Sequence, residues 1–282
     1  MKKRFLKLLG LILTFSVFSF SASGEETGNI YSFLTGINGS ETAITVDGNE
    51  FPAEIYFYWL FNSCDQIQNQ ISLYGSLDEI TEAYLNEEDG SVKWEAALED
   101  GSTVNEYARE AAEDTLRLHG VIENLAAEEE IQLSEEVSAE ISDSYEEELE
   151  SMGGEEGALR DLLVSQESFE RISAIGYLFE ELAELAAEPE SEYYLEPAQY
   201  ENYTEEEDQD VVEGTDWTDE EGLSEEEIRL REEILQKYMG EILEGKAEQA
   251  EIQVSEEVME VVPGDFYNGF YSAYVEKLLE AE

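Results

Sequence analysis

Apolar positions recur at helical spacing over most of this chain and give way to short alternating stretches only near its two ends. Ile44, Thr45 and Val46 favour a strand, Asp47, Gly48 and Asn49 carry turn chemistry, and Pro52 suits the first position of a helix. The helix predicted to follow, up to about residue 74, is unusual. Ile55 and Trp59 make one stripe, but Tyr56, Phe57, Tyr58 and Phe61 cover most of the remaining circumference. A surface helix carries one apolar stripe, so this one is either buried on several sides or offers aromatic rings to another molecule.

The far end repeats the pattern. Residues 250–262 alternate enough for a strand or two. Pro263 then opens a last helix with Phe266, Phe270 and Tyr274 on one stripe and Tyr267 and Tyr271 beside it. The economical arrangement pairs the two terminal strands and packs the two aromatic helices together.

Between the ends the spacing is helical. Thr103 and Glu106 form a capping box ahead of a long helix whose seam reads Val104, Ala108, Ala111, Thr115, Leu118, Ile122 and Leu125. Ser134 opens another helix, with Val137, Ile141, Tyr145, Leu149 and Met152 on one side, and Gly153 and Gly154 stop it. A short helix is predicted over 158–164. A longer one over 167–187 carries Phe169, Ile172, Ile175, Phe179 and Leu182. Residues 188–222 are rich in Glu, Asp and Tyr without periodicity and read as a solvated loop with at most a short strand. Ser224 and Glu227 make a second capping box for a helix that runs to about residue 243, with Gly245 ending it. The fold class expected is mostly α, with a small strand pair formed by the N- and C-terminal segments.

Composition narrows the function. The chain holds 71 acidic against 14 basic residues, a formal net charge of −57. That excludes nucleic acid, whose phosphates need Lys and Arg clusters, and disfavours anionic membrane surfaces. It leaves cationic partners and loosely bound divalent cations. Hydrophobic residues at 42% and aromatics at 11% are enough for a packed core despite the charge. Lys2, Lys3, Arg4 and Lys7 precede an apolar run over 8–20 and the small residues Ser21, Ala22, Ser23 and Gly24, as in a secretory signal peptide over 1–23. The run is shorter than a spanning helix, and no Cys follows it for a lipid anchor. A secreted, extracytoplasmic location without a membrane anchor is expected. Residues 24–43, rich in Gly, Ser and Thr, read as a flexible linker.

Two stretches carry a family resemblance: ITVDGNEFPAEIYFYWL near the start, and DTLRLHGVIENLAAEEEIQLSEEVSAEISDSYEEELESMGGEEGALRDLL in the middle. They resemble the SurA N-terminal/PrsA-like foldases, extracytoplasmic chaperones that often carry a parvulin prolyl-isomerase domain. The resemblance covers residues 44–187 and, more weakly, 250–282. It implies a helical chaperone region over 44–187, closed by the strand and helix of 250–282, with unfolded or secreted polypeptides as partners. In the family the parvulin module is inserted before the closing strand. Here that interval, 188–249, is shorter than such a module and lacks its histidines, its Gly-Gly loop and its Phe and Met pocket pattern. An acidic loop and helix stand in its place. The resemblance therefore implies an ATP-independent chaperone without a working isomerase site. The alternatives are a divergent peptidyl-prolyl isomerase and an acidic extracellular binding module for a cationic partner.

The remaining chemistry is sparse. His119 is the only His and reads as a partly exposed or hydrogen-bonded helix residue, because a zinc site or a catalytic triad needs further partners. Cys64, the only Cys, reads as a buried structural thiol. Asp208, Asp210 and residues 216–221 lack EF-hand spacing. No catalytic residue, metal site or cofactor is assigned. The candidate client-binding residues are Tyr56, Tyr58, Trp59, Phe61, Tyr267, Phe270 and Tyr271, the aromatics that either line a cleft or fill a core.

Overall fold

A computed structural model describes residues 30–74, 82–86, 90–154, 163–204, 217 and 223–281. The signal-peptide segment, the 158–162 part of the short predicted helix and the Asp208–Asp210 loop lie outside the described residues. Among the described residues the chain is mostly helical, with one three-stranded antiparallel sheet.

The sheet forms where the two ends meet. β1 (Thr42–Val46) turns into β2 (Asn49–Pro52) through Asp47 and Gly48, whose φ angles of 48° and 87° give the left-handed pair of a tight hairpin. β3 (Ile252–Val254) returns from the far end of the chain to the other side of β1, pairing Ile44 with Val254, Thr45 with Gln253 and Val46 with Ile252. The predicted terminal pairing is present, with β2 as a third strand. Pro52 ends β2 rather than opening the helix.

Two apolar cores share one long helix. The first packs the sheet, α1 (Ile30–Thr35), α2 (Ala53–Tyr74), the first half of α3 (Val104–Glu128) and α8 (Pro263–Ala281). The second packs the rest of α3, α5 (Gln166–Glu184), α6 (Glu225–Ala247) and the 3₁₀ turns Leu185–Ala187 and Pro197–Asn202. α4 (Glu135–Ser151) lies against α5, and the single-turn α7 (Glu256–Met259) follows β3. Because neighbours lie on both sides of α3, its buried row includes Ala112, Leu116 and His119, one position along from the predicted Ala111, Thr115 and Leu118.

Three expectations are corrected. Residues 30–43 are not a linker: Ile30, Tyr31 and Ile37 are buried, and Tyr31 packs on Phe266 and Phe270 with ring centroids 6.3 and 5.7 Å apart. Residues 188–222 are not a solvated loop throughout, because Tyr193, Leu195, Tyr200 and Trp217 are buried in the second core. α6 continues through Gly245 to Ala247, since an isolated Gly lowers helix stability by only about 1 kcal/mol and the second core holds the helix.

Polar clamps fix the helices at their crossings. Glu54 at the start of α2 is buried and accepts hydrogen bonds from the hydroxyls of Ser165 and Ser168 and from the Ser165 N–H at 3.1 Å, tying down the start of α5. Arg171 donates twice to Glu123, at 2.8 and 2.7 Å, and also to the Glu50 carbonyl and Asn49, with its guanidinium 4.0 Å above the Phe51 ring. Arg109 donates to the carbonyls of Val258 and Val261 at 3.3 and 2.7 Å. Gly120 lets β1 approach α3: a Cβ there would sit 2.6 Å from the Val46 Cβ. Gly120→Ala is expected to cost about 1–3 kcal/mol by overpacking, in spite of the gain of about 1 kcal/mol in helix propensity. Urea melts check this; a stabilised variant would mean that β1 does not rest on α3.

Candidate functional site

The aromatic residues nominated by the pattern meet where α2 crosses α8. Phe61 lies 4.4 Å from Phe270 and 5.4 Å from Tyr267, ring centroid to centroid, and Phe57 lies 5.2 Å from Phe266. The Tyr267 hydroxyl donates to Asp65 at 2.9 Å; burial, then the neighbouring carboxylate, pushes its pKa up. Burial likewise raises the Tyr56 phenol. The tilted, offset ring geometry is that of packed interiors.

This settles which candidates face outward. Tyr56, Phe61, Tyr267 and Phe270 are buried and hold the two terminal helices together, so they are core rather than client surface. Tyr58 and Trp59 are half-buried, with Trp59 standing edge-on between Tyr58 and His119 at 5.2 and 5.0 Å. Only Tyr271, at 55% exposure, is displayed. Val275, one turn further along α8, is 40% exposed, and Tyr274 lies half-buried beside Tyr271 with centroids 6.3 Å apart. On α1, Phe33 is 74% exposed. Phe33 and Val275 were not among the candidates. The four-residue spacing of Tyr271 and Val275 was a usable signal for the second; Phe33 was hidden by the Gly, Ser and Thr around it.

The other singled-out side chains are structural. Cys64 is fully buried, burial pushes its thiol pKa up, and the sulfur donates toward the Pro263 carbonyl at 3.7 Å. His119 is neither exposed nor paired at Nε2: it is buried, and burial, with the Arg171 charge adding to it, holds its pKa down to about 3. Among the described residues, no group of His, Cys, Asp and Glu is arranged to hold a metal ion, and no helix is long and apolar enough to cross a membrane. Arg109, Arg117 and Arg171 are each engaged with carbonyls or carboxylates of the chain itself.

No protein-family model, curated protein or solved structure matches the chain.

Proposed function

We propose that this chain is a secreted, ATP-independent holding chaperone of the SurA/PrsA-like type, without a working prolyl-isomerase site. The observation that carries the reading is the short row of Tyr271 and Val275, exposed one turn apart on α8, a helix whose other side, Tyr274 included, packs on the core. Such a row offers apolar area to an unfolded segment with little loss of side-chain entropy, and the acidic surface around it keeps a loaded complex soluble. The interval where the family carries a parvulin module instead contributes α6, Tyr193, Tyr200 and Trp217 to the second core. The extracytoplasmic address rests on the pattern of residues 1–23.

A light-scattering assay tests this. The protein is expected to suppress aggregation of a chemically unfolded reporter at near-stoichiometric ratio and without ATP. Tyr271→Ser combined with Val275→Ser should weaken suppression severalfold while changing stability by only about 0.5 kcal/mol, as for other exposed positions. A wild-type chain that holds no reporter would overturn the chaperone reading. It would leave the acidic module for a cationic partner, which the formal net charge of −57 favours.

A further inference from the structure

The two edges of the sheet are treated differently. In β2 the backbone groups of Glu50 point away from β1, and its carbonyl is taken by Arg171 at 2.8 Å; Pro52 has no N–H to offer. That edge is closed. On the other side, Asp47 N–H donates to the Glu251 carbonyl at 2.9 Å and Ser255 N–H to the Ala43 carbonyl at 2.8 Å. Antiparallel ladders alternate, so Glu251, Gln253 and Ser255 direct their backbone groups toward β1, and Ile252 and Val254 direct theirs outward. β3 is the edge strand, and among the described residues nothing else bonds those outward groups.

We propose that the open edge of β3 is a docking strand for an extended polypeptide segment with alternating apolar and basic residues, which adds to the sheet as a fourth strand. The idea rests on the holding-chaperone reading and specifies what is held. Main-chain hydrogen bonds to Ile252 and Val254 supply affinity without demanding a particular sequence, which suits an unfolded client. Side chains supply the preference. Residues directly opposite share a face of a sheet, so alternate positions of the incoming strand fall beside Ile252 and Val254, which are only partly covered and lie over the first core. The intervening positions fall on the solvent face beside the exposed Gln253, with the exposed carboxylates of Glu251 and, one strand further in, Asp47 near its end. Lys or Arg fits there, and Asp or Glu is repelled. Exposed strand edges are normally protected; here β2 is capped by Arg171 and Pro52, and β3 is limited only by its length of three residues.

The test uses the full chain and a blocked peptide of alternating Val and Lys. Amide hydrogen exchange should find Ile252 and Val254 unprotected in the free protein and Gln253 protected. The peptide should then slow Ile252 and Val254 by about tenfold or more. An alternating Val and Glu peptide should not, nor should a version with Pro at each Val, since it lacks the donors that face β3. Val254→Pro removes an outward N–H and no ladder bond, and should weaken peptide binding by about fivefold or more. The exchange result on the wild-type chain decides the matter whatever the proline does to stability. Amides already protected in the free protein, or protected only as its concentration rises, would overturn the proposal, the latter in favour of pairing between copies of the chain. Reporter suppression with both amides unchanged by the peptide would overturn edge docking and leave the holding activity. Peptide protection without reporter suppression would do the reverse.

Discussion

A chain ending at Gly245 is expected to lose the cooperative melting of the wild type. The cut removes β3, α7 and α8, and with them Val258, Phe266, Tyr267 and Phe270 from the first core. Truncating a single buried Phe costs about 3–5 kcal/mol, and a whole domain is stable by only about 5–15 kcal/mol. Losing three buried aromatics together therefore exceeds what a typical domain can sustain. The cut also strands polar groups. Arg109 loses its two carbonyl acceptors, and the Asn105 side chain loses the Gly264 N–H that donates to it at 2.8 Å. Trp94, so close to Gly264 that a Cβ there would lie 2.2 Å from its ring, is uncovered. Far-UV circular dichroism against temperature reads the outcome, and a truncated chain that melts as sharply and as high as the wild type would refute the closure of the fold by its two ends. Removing residues 24–40 is expected to be destabilising as well, because it takes Ile30, Tyr31 and Ile37 out of the same core.

What was legible in the chain is what local chemistry decides. The capping boxes at Thr103 and Ser224 are made by residues three apart, and both form as read. The turn at Asp47 and Gly48 was legible, as was the pairing of the ends from two strands with matching aromatic helices, whereas β2, read as the approach to the helix, was not. What was illegible depends on neighbours distant in sequence. α1 is a six-residue helix, too short to hold itself, and exists because Tyr31 stacks on Phe266 and Phe270. Tyr193, Leu195, Tyr200 and Trp217 anchor turns and loops, where no period announces burial. The same limit divides the candidate site. Tyr267 and Tyr271 are one turn apart on α8, yet one is 6% exposed and the other 55%. An all-round aromatic helix declares that it has several neighbours without saying which side lacks one. For the same reason β3 could be read as a strand, whereas its open edge could not.

Stability should fall on acidification by way of His119, with a sign opposite to the relief of charge repulsion. Its ring is buried on α3 against Trp59, and its folded-state pKa lies at about 3 against an ordinary 6.5. Above pH 6.5 the imidazole is neutral in both folded and unfolded chains and the contribution is fully present. As pH falls from there toward 3, the unfolded chain binds a proton that the folded chain refuses, and stability is lost. At 1.36 kcal/mol for each pH unit, the loss reaches on the order of 3 kcal/mol by about pH 4. Acid also changes the net charge of a chain with 71 acidic residues, so the wild type alone cannot isolate this effect. Comparison with His119→Leu can, because the carboxylates are common to both chains and cancel in the difference. Urea melts at about pH 7 and pH 4 should show the wild type losing about 3 kcal/mol relative to the variant. Should Leu disturb the packing against Trp59, His119→Gln, which is likewise uncharged at both pH values, gives the same comparison. A gap that does not change with pH would mean that the unbonded Nε2 finds a partner in solution and that the ring ionises as freely in the folded chain as in the unfolded one.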